Sequence, residues 1–387
     1  MTNLTPQSEA ELADLVRASS GPLRIMGGGT RPIGDVANAQ VLSTAALSGI
    51  TLYEPGALTL VAKAGTPLDE IDAALRAENQ MLAFEPYDLT GVTGAKGAST
   101  IGGVVATNAS GARRVQAGAA RDFLLGVRFV DGEGQVLKNG GRVMKNVTGY
   151  DLVKLMAGSW GTLGVLSEVS LKVLPMPEHV MTVAVTGLSD EDAVAAMSAA
   201  LGSPFDVTGA VHAPACIEEE PFTMVRVEGF EGSVQYRAEK LKELLGRYGD
   251  VTTSENAEGW KAMREMVAFS QPVRGSGGAL WQLSLKPSDA SPVMAEISDR
   301  FDVLYSYDWG GGRVWVWAGE EVDHSALHGA LQDSATRVGG HATLIHSASA
   351  FEGPKFQLQS PVLSRLSQAL RAKFDPRGIL NPGLMGA

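Results

Sequence analysis

At 387 residues the chain can bury a sizeable core and is long enough for about two domains; 44% apolar and 19% charged residues are ordinary for a soluble globular protein. The net charge of −11 argues against unspecific binding to nucleic acid or to an anionic membrane surface, and it means that a small carboxylate substrate needs a local cationic patch. The lone cysteine, Cys216, excludes an internal disulfide and a thiolate-ligated iron–sulfur cluster within the chain, and no stretch reads as a signal peptide or a membrane span, which points to the cytoplasm or to a soluble part of a membrane-associated complex.

In chain order, Ser8 and Glu11 have capping-box spacing ahead of Leu12, Leu15 and Val16, so the chain opens with an amphipathic helix. The apolar run Leu23–Met26 reads as a short strand ending in Gly27-Gly28-Gly29-Thr30. Leu58–Ala64 reads as another strand, and Thr66 with Pro67 at the first helical position opens a helix through Ile71, Ala74 and Leu75. Strand, loop and helix alternate in this way up to about Leu174, where Pro175 and Pro177 mark a boundary. From Val180 to about Ser349, β-rich segments such as MTVAVTGL, FTMVRVEGF, ALWQLSLKP and RVWVWAG alternate with helical ones such as DEDAVAAMSAAL and VQYRAEKLKELLGRYG. This texture predicts an α+β domain with an antiparallel sheet backed by helices. A last helix, PVLSRLSQALRAKF, leads into DPRGILNPGLMGA. No internal repeat and no low-complexity linker is visible, so the domains are expected to pack together. The expected division is 1–177 and 178–354, with 355–387 returning to the first domain.

Glycine carries most of the functional signal. A strand ending in consecutive glycines, as at Gly27–Gly29, exposes several backbone N–H groups that can wrap a pyrophosphate, although a plain tight turn reads the same way. It is not the dinucleotide fingerprint, because Pro32 stands three residues after Gly29, and no Walker A sequence occurs. A second glycine pair follows in Thr100-Ile101-Gly102-Gly103, with Thr107, Asn108 and Ser110 downstream as hydrogen-bonding groups for ring carbonyls or phosphates. Then Gly161-Thr162-Leu163-Gly164-Val165 lets an apolar strand pass close to a ligand. Each alone is also explained as a turn or bulge; the three together, with Gly111, Gly118, Gly149 and Gly158 between them, point to main chain lying against a flat, phosphate-bearing ligand.

The order GGGT, then TIGG and TNASG, then KNVTGYDL and GSWGTLGVLSEVSLKVLP, then FDPRGILNPG resembles the vanillyl-alcohol-oxidase/p-cresol-methylhydroxylase (PCMH-type) flavoproteins, and within them the branch of FAD-binding E subunits of bacterial glycolate oxidases. The resemblance covers nearly the whole chain and implies a two-part PCMH-type FAD-binding domain with an α+β cap. By position it implies that Gly27, Gly28, Gly29, Thr30 and Arg31 hold the pyrophosphate. Thr100, Ile101, Gly102, Gly103, Asn108, Ser110, Gly111 and Gly118 would line the flavin. Gly161, Gly164 and Val165 would contact the nucleotide end, and Asn381 would return to the flavin domain. Many relatives tether FAD covalently through His, Cys or Tyr; here no histidine precedes His179 and Cys216 lies outside the flavin motifs, so non-covalent FAD is expected.

Oxidising a 2-hydroxy acid at a flavin needs a cation for the carboxylate and a base for the hydroxyl proton. Self-sufficient relatives resemble one another in a histidine-rich, metal-binding cluster in the second domain, and this sequence departs from that pattern: the corresponding part reads Tyr305-Ser306-Tyr307-Asp308-Trp309-Gly310-Gly311-Gly312-Arg313. No metal site is therefore expected. His324 and His328 have helical spacing beside Glu320, Glu321 and Asp323, but fit a solvated helix face better. Arg313 is the best candidate to bind a carboxylate, with Arg226 second. Trp315 and Trp317 are expected on one face of a strand, with Val314 and Val316 on the other. Two functional readings remain. In one, the chain is an FAD-carrying accessory subunit of a glycolate dehydrogenase, peripheral to the inner membrane through its partners: a homologous catalytic flavoprotein and an iron–sulfur subunit feeding the quinone pool. In the other, it is a self-sufficient glycolate or D-lactate dehydrogenase with an unusual site built from Tyr307, Arg313 and His346. A reductase using NAD(P)H shares the fold but finds no fingerprint here.

Overall fold

The computed structural model describes residues 3–32, 38–143, 149–255 and 257–386. The first helix, Glu9–Ala18, starts at the expected cap, with Ser8 Oγ accepting from the Glu11 N–H at 3.2 Å. The capping box closes only halfway, because Glu11 Oε2 accepts from the Gln7 N–H at 2.7 Å instead of from Ser8. Leu12, Ala13 and Val16 of its apolar stripe are buried with Leu23, Leu42, Ile379 and Leu380.

β1 (Leu23–Met26) and β2 (Gln40–Ser43) form a parallel pair. β3 (Ile50–Glu54) and β4 (Thr59–Lys63) begin an antiparallel sheet, and a short strand β5 (Gln80–Met81) lies outside it. β6 (Leu124–Val130), β7 (Val136–Gly140) and β8 (Val165–Lys172) complete that sheet in the order β3-β4-β8-β6-β7, while β9 (Leu174–Pro175) pairs with β5. The expected helix after β4 runs Leu68–Arg76; Pro67 is extended (φ −60°, ψ 144°) and occupies the N-cap, one residue earlier than its predicted place inside the helix. Of the KNVTGYDL motif, residues 145–148 lie outside the described residues.

The second half is one eight-stranded, wholly antiparallel sheet made of β10 (His179–Thr186), β11 (Gly209–Ala213), β12 (Phe222–Gly229), β13 (Val251–Ser254), β14 (Ala279–Ser284), β15 (Leu304–Asp308), β16 (Arg313–Ala318) and β17 (His341–Ser347). Its order, β13-β10-β12-β11-β15-β16-β14-β17, resolves into two copies of one plan. Each copy runs strand–helix–strand–strand–helix–strand with spatial order fourth-first-third-second, a ferredoxin-like unit. The helices are Asp190–Leu201 and Glu231–Leu245 in the first unit, and Pro287–Ser298 and His324–Arg337 in the second. The duplication is one of topology, and no repeat in the sequence announces it. The units meet edge to edge where β11 faces β15, through a single register pair, His212 and Tyr307.

The sheet is buried on both faces. Val225, Val227, Val314 and Val316 point to the four helices and pack with Ala193, Leu241, Met294 and Leu331. Leu280, Trp315 and Ile345 point the other way, into the same core as Phe84, Ile101 and Leu171 of the first half, so the cap lies directly on that half. The expected alternation of β16 is thus observed, with the tryptophans facing the first half. The last long helix, Pro361–Phe374, leads to a segment that rejoins β1: the Leu23 N–H donates to Ile379 O at 2.7 Å and the Asn381 N–H to Leu23 O at 3.0 Å. Among the described residues no helix is long and apolar enough to cross a membrane.

Candidate functional site

A groove opens where β1 ends, walled by the loop Gly27–Pro32 on one side and by the helix Ile101–Thr107 on another. Gly161, Gly164, Trp160 and Asn381 close it from the strand β8 side and from the C-terminal segment. Asn381 holds two walls together: its Oδ1 accepts from the Ile25 N–H and its Nδ2 donates to Trp160 O, both at 2.8 Å. Thr100 caps the groove helix, its Oγ1 accepting from the Gly103 N–H at 3.3 Å. The first N–H groups of this helix are spent inside the protein, since Ile101 donates to Thr66 O and Gly102 to Ala64 O. The loop before it differs. No described residue accepts a hydrogen bond from the main-chain N–H groups of Gly27 through Arg31. That leaves a run of donors facing an anion's natural place.

The glycines sort into two kinds when a Cβ is built on each. At Gly28 it falls 1.7 Å from Ala98 O, and at Gly102 2.7 Å from Ala64 O, so these two are glycine because backbone packs on backbone. At Gly103 the added carbon meets only Thr100 Oγ1, at 3.3 Å, and otherwise enters the open groove. Arg31 donates to Ser99 Oγ at 2.6 Å and Tyr87 O at 2.7 Å, while its Nε is enclosed without a partner. Burial pulls its guanidinium below the ordinary pKa, against the opposing influence of Tyr87 and Asp88. Free loop N–H groups, a bare wall at Gly103 and a half-buried cation with no carboxylate partner among the described residues are what a dinucleotide with a pyrophosphate needs, so the groove fits FAD.

Not every expected cofactor residue is in this groove. Ile101 and Val165 are fully buried in the apolar cores, their side chains turned away. Asn108 ends the groove helix in the left-handed region (φ 50°), and its Oδ1 accepts from the Arg121 N–H at 2.9 Å. Ser110 is buried, its Oγ donating to Asn108 O and accepting from the Ala120 N–H. Thr107 likewise turns its hydroxyl back on Gly103 O. Gly118 closes a short helix at φ 100° beside Asp122. Gly111, where a Cβ would lie 2.2 Å from Glu85 O, belongs to the junction with the cap. The groove also draws on Arg24, Met26, Thr44, Ala106 and Leu384, which carried no motif. Trp160 was findable from its place next to Gly161; in the structure it takes a positive φ of 53°.

At the junction three arginines meet three carboxylates. Arg226 reaches Glu85 at 2.7 Å and Glu228 at 3.5 Å, and Arg113 reaches Glu228 at 2.5 Å and Glu85 at 3.6 Å. Arg313 pairs with Asp308, donates to Ser110 O at 2.6 Å, and lies 4.1 Å from the Trp309 ring and 4.9 Å from the Trp315 ring. Burial lowers the Arg226 pKa, but Glu85 and Glu228 outweigh it and leave the guanidinium above its ordinary value. Arg313 is 2% exposed, with both terminal nitrogens engaged and its Nε enclosed without a partner, so the expected carboxylate-binding cation is buried and already paired with Asp308. The carboxylate partners were missed; Arg226 and Glu228, two apart on one strand, share a face and were the available signal.

Tyr307 is not beside Arg313. It faces Val314 across the ladder and points to the helical side of the sheet, where its hydroxyl donates to Asp190 Oδ2 at 2.7 Å. Tyr305 donates to the same oxygen at 2.8 Å, and His212 Nε2 lies 3.4 Å from Asp190 Oδ1. Burial raises the Asp190 pKa, yet the hydrogen bonds from His212, Tyr307 and Tyr305 prevail and leave it below the usual carboxylate range. Burial and then the Asp190 charge push both phenols up, so neither serves as a base. His346 is half-buried at the far edge of the sheet, its imidazole pKa lowered by burial, and it makes no described contact with Arg313 or Tyr307. His328 corrects the solvated-face expectation: it is 7% exposed and its Nδ1 accepts from the Trp281 indole at 3.1 Å, while His324 Nε2 bonds Gly319 O. Among the described residues no three His, Cys, Asp or Glu side chains converge as metal ligands.

Residues 3–140 match a family model described as FAD binding domain. The chain is 36% identical to the glycolate oxidase subunit GlcE of Escherichia coli strain K12, over 98% of this chain and 97% of that one. It is 27% identical to the glycolate oxidase subunit GlcD of Bacillus subtilis strain 168, over 75% of this chain and 68% of that one. It is 25% identical to a D-lactate dehydrogenase of Archaeoglobus fulgidus, over 98% of this chain and 89% of that one. Among solved structures, an alkyldihydroxyacetonephosphate synthase shares the fold, with a TM-score of 0.74 at 17% identity, covering 98% of this chain and 76% of that one. The chain belongs to the PCMH-type FAD-linked oxidoreductase family that includes the glycolate oxidase subunit GlcE, and its cofactor is FAD.

Proposed function

We propose that this family member is the FAD-binding accessory subunit of a glycolate (2-hydroxy-acid) oxidase complex. In that complex a homologous flavoprotein oxidises glycolate to glyoxylate, and an iron–sulfur subunit carries the electrons to the quinone pool. The observation that supports this division of labour is the closed charge cluster between the two halves. Arg113, Arg226 and Arg313 are answered by Glu85, Glu228 and Asp308, so the guanidinium best suited to a substrate carboxylate already has one. Admitting a second carboxylate there would place two like charges on one buried cation, which costs several kcal/mol.

When bound, FAD supplies the capacity to take up two electrons from a hydroxy acid or from another carrier. The chain's own residues would bind and shape it. The N–H groups of Gly27 to Arg31 would receive the pyrophosphate oxygens, with Arg31 as counter-charge. Gly103 would let the ligand lie against the helix, and Asn381 would keep β1 and the Trp160 turn at a fixed separation. No His, Cys or Tyr is among the described residues that wall the groove, which supports non-covalent retention.

The test is a visible spectrum of the purified chain, followed by glycolate or D-lactate without oxygen. A flavin that stays oxidised alone and bleaches once the catalytic flavoprotein is added supports the subunit reading. A flavin that bleaches in the isolated chain refutes it in favour of a self-sufficient 2-hydroxy-acid dehydrogenase.

A further inference from the structure

The helix Pro361–Phe374 has no fully buried residue, although it is built as an amphipathic one. Val362, Leu363, Leu366 and Leu370 recur at i, i+1, i+4 and i+8 and so share a face, and that face is in solvent: they are 57%, 55%, 63% and 38% exposed. Leu358, just before the helix, is 69% exposed as well. The helix is held from its other side. Arg371 donates to Leu380 O, Asn381 O and Leu384 O at 2.6, 3.0 and 3.1 Å, and Phe374 packs 6.1 Å from Phe129. An apolar stripe turned outward on an anchored helix is an interaction surface.

Charge and position select the occupant. Every ionisable side chain of the helix is basic (Arg365, Arg371 and Lys373), on a chain whose net charge is −11. Two copies meeting through this stripe would set Arg365 and Lys373 against their own kind, with no acid in the helix to answer them. An anionic lipid surface would repel the acidic body around the helix. The surface is also continuous with the FAD groove. Trp160, a groove wall, meets Phe356 edge to face at 5.5 Å, and Phe356 leads through Leu358 into the helix, while Asn381 and Leu384, held by Arg371, wall the groove on the same side. Resting on the subunit reading above, we propose that this helix is the docking face for a partner subunit of the complex, a protein presenting an apolar groove rimmed by carboxylates, and that it seats the partner next to the flavin.

The experiment co-expresses the chain with the two proposed partners, the catalytic flavoprotein and the iron–sulfur protein, and reads assembly by native mass spectrometry alongside flavin content. The variants are Leu363→Asp with Leu366→Asp, and, as a milder pair, Arg365→Glu with Lys373→Glu. The leucine pair is expected to keep its flavin and its melting temperature and to weaken assembly roughly 30-fold or more, the loss typical of a buried apolar anchor. The charge-reversed pair is expected to weaken assembly about 5- to 10-fold and to do so less at high salt. Wild-type assembly with both variant pairs unchanged overturns the docking face and leaves the subunit reading standing. A wild-type chain that joins neither partner overturns both. Variant-sensitive binding to phosphatidylcholine–phosphatidylglycerol vesicles, or a variant-sensitive dimer of the isolated chain, overturns the proposal in favour of that other occupant.

Discussion

Replacing Gly103 by valine separates the demands of the fold from those of the cofactor. Gly103 lies inside the helix Ile101–Thr107, where a Cβ meets only Thr100 Oγ1 at 3.3 Å. Valine is a better helix former than glycine by about 0.3–0.5 kcal/mol, so the apo protein should unfold within about 0.5 kcal/mol of wild type. The branched side chain, however, stands in the groove. Crowding a packed site costs about 1–3 kcal/mol, which weakens FAD about 5- to 150-fold. At FAD concentrations about 100 times the wild-type Kd, the cofactor adds about 2.7 kcal/mol to the wild type, and about 0.9 to 2.4 kcal/mol of that should vanish in the variant. Gly28→Ala is the control with the opposite logic, because its Cβ would fall 1.7 Å from Ala98 O and must disturb the loop with or without ligand. Denaturant unfolding with and without FAD, together with the flavin-to-protein absorbance ratio, reads both quantities. A Gly103→Val protein that binds FAD with the wild-type Kd would refute the placement of the cofactor against this helix.

Arg313→Ala strands the buried Asp308 carboxylate and should cost about 3–5 kcal/mol, seen as a lower urea midpoint, with Arg313→Ala/Asp308→Asn recovering part of it; an unshifted midpoint would show that the pair is not structural. Tyr307→Phe deletes a hydrogen bond to a charged oxygen and should cost about 1.5–3 kcal/mol while leaving flavin content and turnover of the complex unchanged; a selective loss of turnover would return Tyr307 to the reacting groups. Asp190 has a folded pKa below its unfolded one, so its contribution is complete above about pH 4 and is lost as pH falls through the folded value. Asp190→Asn should therefore flatten the acid limb of the stability profile, and an identical acid limb would count against the network. Asn381→Ala removes the bonds to Ile25 and Trp160 and should lower both stability, by about 1–3 kcal/mol, and flavin retention, measured as above.

The glycine loop, the strand before it and the returning C-terminal segment were legible because each depends on local chemistry: a tight backbone approach at Gly28, and an Asn whose two ends satisfy two main chains. The alternation of Val314, Trp315, Val316 and Trp317 likewise predicted which face each would bury. What failed was anything set by pairing across distance. Arg313 reads as an open cation until Asp308 and Ser110 O are brought to it, and Tyr307 reads as its neighbour although the pleat sends it to the opposite face. Ile101 and Val165 sit within glycine motifs, yet each turns into a core. The two ferredoxin-like units were illegible for a related reason: their likeness lies in the order of strands, which similar hydrophobic patterns satisfy with unrelated residues.

The join between those units works as a suture. Elsewhere the large sheet is laced by ladders of four or more register pairs, but here one facing pair is backed by a carboxylate, two phenols and an imidazole. The arms that clasp the nucleotide half leave from opposite sides of it, Arg226 from the first unit and Arg313 from the second. Loosening the stitch on the helical side therefore slackens a grip on the other. Replacing Asp190 by asparagine should loosen the cap on the flavin half before either half melts, and amide exchange along β11 and β15 would record that order of events.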